Sequence, residues 1–175
     1  HMNSEEFRQQ FQEIEKRRRK AIRMLLLFIA IVIAAAVFIF QFVCGIAVVH
    51  GESMIPGLRD GTVVLYFRQG MPGFGDVTVL KTENGTPIIK RVIGLEGDTI
   101  EVDEQGKTTR NGVLLQEDYA KYGVGNIGNK TKTVVELGRI FVLGDNRSVS
   151  IDSRAEGSYP LESIQGTVFF AFQSL

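Results

Sequence analysis

Residues 24–40, MLLLFIAIVIAAAVFIF, are 17 consecutive apolar positions, and the run continues to Val49 with only Gln41 and Gly45 as interruptions. As a helix, the stretch from Met24 to Val49 reaches about 39 Å, more than the ~30 Å hydrocarbon core of a bilayer. A helix on the surface of a soluble protein carries a polar stripe, and this one has none. Residues 24–50 contain no Lys, Arg, Asp or Glu at all. The stretch therefore reads as a transmembrane span, tilted or emerging from lipid at one end.

On its N-terminal side stand KRRRK at residues 16–20 and then Arg23. Such a basic flank holds its end of a span on the cytoplasmic side, so the N-terminus is expected inside and the C-terminal domain outside. The leader is long and the apolar stretch exceeds a usual signal-peptide core, which favours an uncleaved signal anchor. His1 ahead of Met2 reads as an expression scar. Residues 3–20 have helical charge spacing, with Phe7, Phe11 and Ile14 at intervals of four and three. They suit an amphipathic helix on the membrane surface or, the reading favoured here, a solvated juxtamembrane extension.

From Gly51 onward short β-branched runs alternate with Gly-containing turns, the texture of a β-rich domain. The expected strands are 62–67, 77–82, 86–93, 98–102, 134–135 with 139–143, and 164–172. Asn84-Gly85 is a two-residue hairpin signal and Asn111-Gly112 a second turn. The polar stretch 116–133 reads as a long surface excursion. The expected organisation is thus mainly β: a cytoplasmic basic segment 1–23, a transmembrane anchor 24–49 and an extracytoplasmic β-rich domain 50–175.

Composition bounds the function. With 175 residues, 44% of them hydrophobic, the chain has material for one core and an appendage. Its 20 basic and 20 acidic side chains cancel. That removes the basic footprint that nucleic-acid binders need. The cancellation hides a segregation of +3 on residues 1–23 against −3 on residues 51–175. One cysteine, Cys44, excludes an internal disulfide and a thiolate-rich zinc site.

Three segments carry chemistry. HGESMIPGLRDG, residues 50–61, places Ser53 in a Gly/Pro loop whose backbone amides can stabilise an oxyanion, although such a serine is also an ordinary turn residue. TPIIKRVIGLEGD, residues 86–98, interrupts an apolar strand with Lys90, flanked on its face by Ile88 and Val92. Burial there lowers an ammonium pKa and makes a base; the alternative is an amine that snorkels to water. FVLGDNRSVSIDSR, residues 141–154, packs Asp145, Arg147, Asp152 and Arg154 into one loop, which suits an ion-pair network. A calcium loop needs another pattern, which Arg147 spoils, so no metal site is expected.

Together these segments resemble the type I signal peptidases. Gly51, Ser53, Met54 and Pro56 fit the family's G-x-S-M-x-P box. Lys90, Arg91, Gly94, Gly97 and Asp98 fit its K-R-x-x-G-x-x-G-D box, and residues 144–154 meet G-D-N-R-x-x-S-x-D-S-R at every fixed position. A weaker box is visible at Gly75-Asp76-Val77, and the boxes follow the family's order. The resemblance implies a Ser-Lys endopeptidase that removes signal peptides from exported preproteins at the outer membrane face. Ser53 is similar to the family's nucleophile, Lys90 to its base, and Ser150 to the serine that hydrogen-bonds the lysine amine. Asp145, Arg147, Asp152 and Arg154 resemble its ion-pair scaffold. Gly51, Met54, Pro56, Ile88 and Ile89 are the candidate substrate-binding residues. The implied partners are signal peptides of preproteins and membrane lipid, with no nucleic acid, no metal and no cofactor.

Departures from the pattern are Gly51, which brings no side-chain oxyanion donor, Gly57 for a usual threonine, Glu96 for a usual proline, and Val149 where some members carry asparagine. The residues point the same way independently. A Ser-His-Asp triad lacks its histidine, since His50 lies only three residues from Ser53 at the membrane exit, leaving lysine as the base. The competing classes are a membrane-anchored β-domain that binds peptides without cutting them and a specialised processing peptidase with the same dyad.

Overall fold

The computed structural model describes residues 4–124 and 130–173. His1, Leu175 and residues 125–129 of the polar stretch lie outside the described residues. The chain divides into two compact units, residues 1–42 and 43–175.

In the first unit, α1 (Ser4–Phe38) joins the charged leader and the apolar run in one helix of 35 residues. Glu13–Arg17 and Glu15–Arg19 pair one turn apart on its exposed surface, each worth only a few tenths of a kcal/mol. Phe11 and Ile14 are exposed, as are Met24 through Phe28. By length and composition the helix is long and apolar enough to cross a membrane. A π-helical turn, Ile39–Val43, ends it.

The apolar run does not stay helical to Val49, because Cys44–Val48 form strand β1. β1 pairs in antiparallel register with β2 (Val63–Phe67), Gly45 opposite Tyr66. A Cβ on Gly45 would lie 2.1 Å from the Tyr66 ring, so glycine lets that ring cross the strand. Apolar composition suits helix and buried strand alike over so short a length; the partner strand decides between them.

The second unit holds two antiparallel sheets. β3 (Val77–Lys81), β4 (Pro87–Gly94), β9 (Arg139–Leu143), β10 (Tyr159–Pro160) and β11 (Ile164–Phe172) complete a seven-stranded sheet of order β1-β2-β11-β3-β4-β9-β10. The smaller sheet has the order β7-β6-β5-β8, from β5 (Thr99–Val102), β6 (Thr108–Arg110), β7 (Val113–Leu114) and β8 (Thr131–Val134). The six expected strand regions all carry strand. β1, β6, β7, β10 and most of β8 were not expected. β8 lies at the end of the polar stretch, where Thr and Lys alternate; its support is cross-strand, Lys132 opposite Glu101 with their charges 2.8 Å apart.

Three apolar clusters hold the sheets. Val49, Met54, Val64, Tyr66, Val79 and Ile89 form one; Ile93, Ile100, Val102, Val135, Phe141 and Leu143 a second; Leu80, Val92, Ile140, Val142 and Tyr159 a third. Strand β4 contributes to all three, so its position is determined from both sides. Lys90 lies on this strand, opposite Thr78 of β3.

Candidate active site

Ser53 sits in the turn that follows β1, between buried Val49 and Met54. Met54 is fully buried in the first apolar cluster and pins the loop from below. From above, the Asn146 backbone N–H donates to the Ser53 carbonyl at 2.9 Å, and Asn146 Nδ2 donates to the Glu52 carbonyl at 3.1 Å.

Lys90 is 5% exposed, and its Nζ donates to Ser53 Oγ at 3.0 Å. Desolvation by burial lowers the Lys90 pKa from its ordinary 10.5, against the carboxylates of Asp152 and Glu156, which raise it; the Arg154 guanidinium acts with the burial. An amine whose pKa is lowered by burial, within hydrogen-bond reach of a hydroxyl, has the geometry that proton transfer between them requires.

The third segment forms the wall beside this pair. A Cβ on Gly144 would lie 2.2 Å from Ser150 Oγ and 2.6 Å from the Ser53 carbonyl oxygen; only glycine fits between the two serines. Ser150 is fully buried, and its Oγ has no hydrogen-bond partner among the described residues. The expected bond from Ser150 to the lysine amine is therefore not formed in this arrangement, where the amine donates to Ser53.

The four charges of this loop do not all pair with one another. Arg154 does clasp Asp152, at 2.9 Å through both Nε and Nη2. Asp152 also accepts from the Gly144 N–H at 3.0 Å and caps α2 (Ser153–Glu156) through the Arg154 N–H. Asp145 instead takes Arg91, through Nε and Nη2 at 2.8 Å each, and the Arg91 guanidinium lies 4.0 Å above the Tyr119 ring. Arg147 takes Glu117, with neither side chain exposed, and also donates to the carbonyls of Gly144 and Gly106 and to Thr108 Oγ1. Glu117 further accepts from the Tyr119 and Tyr122 hydroxyls. Burial and the Glu117 charge push the Tyr122 hydroxyl up to about 12.

Glu117, Tyr119 and Tyr122 were missed because they lie in the stretch expected to be a surface excursion. The one available signal was charge balance: the boxes hold three arginines, Arg91, Arg147 and Arg154, against two loop aspartates, Asp145 and Asp152.

Among the candidate substrate-binding residues, Ile89 lines a groove of about 360 Å³ with Ile46, Ala47, Val48, Val79 and Pro87, rimmed by His50 and Lys81. Its partners in that assignment lie elsewhere. Gly51 and Pro56 are exposed, the Gly51 N–H donating to Asp60 at 2.7 Å; Met54 is core, and Ile88 packs against the third cluster.

The family model "Signal peptidase, peptidase S26" matches residues 22–173, a span that takes in both Ser53 and Lys90. The chain belongs to the peptidase S26 signal peptidase family. Within that family it is 32% identical over 167 residues to signal peptidase IB of Staphylococcus aureus, covering 81% of this chain and 87% of the relative. It is 34% identical to signal peptidase I P of Bacillus subtilis subsp. natto, covering 84% and 88%. A solved signal peptidase I from Enterococcus faecalis V583 is 30% identical with a TM-score of 0.49, covering 57% of this chain and 98% of that one. As a member of the signal peptidase family, the chain is a hydrolase of peptide bonds.

Proposed function

We propose that this protein is a membrane-bound serine endopeptidase that cleaves N-terminal signal peptides from exported preproteins by a Ser53–Lys90 dyad, through an acyl-enzyme. The observation that carries the reading is the 3.0 Å hydrogen bond from a desolvated Lys90 to Ser53 Oγ. Neutral Lys90 takes the Ser53 proton as Oγ attacks the scissile carbonyl. The Ser53 backbone N–H stabilises the resulting oxyanion, and protonated Lys90 then gives its proton to the leaving amine. Lys90 next activates a water that hydrolyses the ester and frees Ser53.

Ser150 adjoins the dyad as a hydroxyl available to the amine when it turns from Ser53. Asp145, Arg147, Asp152 and Arg154 act as scaffold. Residues 1–23 are cytoplasmic, the helical part of the 24–49 run, which ends at Val43, carries the anchor in the cell membrane, in contact with lipid, and the β-rich domain that begins with β1 is extracytoplasmic. The signal peptide adds as a strand beside β1, which is the edge strand of its sheet among the described residues. Its side chains enter the groove at Ile89, behind which Met54 packs in the first apolar cluster, while Gly51, Pro56 and Ile88 stand outside that groove.

Purified full-length protein assayed on a panel of precursor peptides tests this. Precursors with Ala at the first and third positions before the cut are expected to be cleaved, and those with bulky residues there to resist. Equal cleavage of both sets would remove the substrate assignment. Activity retained by Ser53→Ala would remove the dyad, and binding without any cleavage would make the domain a peptide receptor.

A further inference from the structure

Asn146 stands against the nucleophile without a part in the proton transfers above. It is 2% exposed, and its two donors grip consecutive carbonyls, those of Glu52 and Ser53, on a segment more than ninety residues earlier. Its side-chain oxygen accepts from Ser148 Oγ at 3.1 Å, which leaves Nδ2 as the atom facing Glu52. Its own carbonyl accepts the Ser150 N–H at 3.1 Å. The backbone on either side is tied down too, since the Lys121 N–H donates to the Asp145 carbonyl and the Arg147 N–H to that of Lys121. Asn146 is therefore a rigid post.

The Glu52 carbonyl and the Ser53 N–H are opposite ends of one peptide plane. Among the described residues the cis bond is Ile55-Pro56, so this peptide is trans, and its C=O and N–H point in opposite directions. Holding the carbonyl fixes the direction of the amide. That amide donates to no acceptor among the described residues, although it adjoins a hydroxyl already bonded to a base. We propose that Asn146 is a positioning residue for the oxyanion site: its Nδ2 bond to the Glu52 carbonyl aims the Ser53 N–H at the oxygen of the tetrahedral intermediate. The inference rests on the proposed role of Ser53 as nucleophile. It supplies what Gly51, with no side-chain donor, leaves to the backbone: a single amide held in place before the substrate arrives.

Removing an oxyanion donor costs about 10²- to 10³-fold in kcat. Here the donor stays and the Glu52 carbonyl keeps the Ile55 N–H at 3.2 Å but loses the tie from outside the loop, so Asn146→Ala is expected to lower kcat by about 10- to 100-fold. The test uses full-length protein in detergent, a precursor peptide with Ala at the first and third positions, and a peptide aldehyde of the same sequence. The hemiacetal formed on Ser53 places an oxygen where the oxyanion develops. KM and the pH midpoint should stay unchanged while aldehyde affinity falls in step with kcat. Asn146→Asp keeps size, backbone N–H and the acceptor for Ser148 but lacks the Nδ2 donor, and should show the same loss on its pH plateau.

A folded Asn146→Ala enzyme with wild-type kcat and aldehyde affinity would overturn the proposal. So would a loss confined to KM or to the pH midpoint, or the failure of both variants to fold, which would make Asn146 a residue of the fold alone. Ser53→Ala in parallel separates the two readings. If it stays active, the dyad itself is wrong; if it is inert while Asn146→Ala is indifferent, only the oxyanion role fails.

Discussion

The Arg147 guanidinium and the Glu117 carboxylate meet through two hydrogen bonds, at 2.6 and 2.9 Å, with both side chains closed off from solvent. This pair ties the loop behind Ser53 to a segment thirty residues earlier. Removing one partner strands a buried charge, so Glu117→Ala should destabilise the protein by about 3–5 kcal/mol. Thermal unfolding measures it. The double variant Arg147→Met, Glu117→Leu should be more stable than Glu117→Ala, because it leaves no unpaired charge; equal stability would mean that the hydrogen bonds to Gly144, Gly106 and Thr108 dominate.

Lys90→Arg keeps a positive charge that does not titrate in the working range. Turnover of a precursor peptide should fall by about 10²- to 10⁴-fold, the range typical of a lost general base. Near wild-type activity in a folded variant would eliminate the base role. For the wild type, kcat/KM should rise with pH through a midpoint below 10.5, the direction that burial moves the amine. Stability should follow the same sense. The unfolded chain binds a proton at Lys90 that the folded chain releases, so folding gains as pH rises from the lowered pKa toward 10.5. Lys90→Met should abolish that part of the pH dependence.

Arg154→Ala leaves Asp152 buried without its guanidinium. The expected cost is about 3–5 kcal/mol. A second effect is electrostatic: Arg154 helps to lower the Lys90 pKa, so its loss should move the kcat/KM midpoint upward. Unchanged thermal unfolding with vanished activity would instead place Arg154 on the substrate.

Gly144→Ala should act on the reaction more than on the fold. The new Cβ meets Ser150 Oγ at 2.2 Å and the Ser53 carbonyl at 2.6 Å, and overpacking of this kind costs about 1–3 kcal/mol. Displacing Ser53 from Lys90 should lower kcat at least as far as Asn146→Ala does. Wild-type kcat would show that the loop yields without moving the nucleophile.

By itself, the sequence determined the elements whose signal is local. The uncharged apolar stretch needs no partner to be read, and alternation with Gly turns marked β2, β3, β4, β5, β9 and β11. Ser53, Lys90 and Ser150 were legible because each sits in a box whose spacing belongs to a known family. Tertiary structure decided what depends on a neighbour distant in sequence. Cys44–Val48 are a strand because β2 offers hydrogen bonds and Tyr66 crosses Gly45; β8 is a strand because Glu101 waits opposite Lys132. Asp145 chose Arg91 and Arg147 chose Glu117, pairings that no spacing rule gives, since a charge pairs with whatever the fold brings within reach once water is gone. The 3.0 Å between Lys90 and Ser53 belongs to the same class. Residue types made a base and a nucleophile available, and the packing of β4 against the loop held by Met54 and Asn146 made them meet.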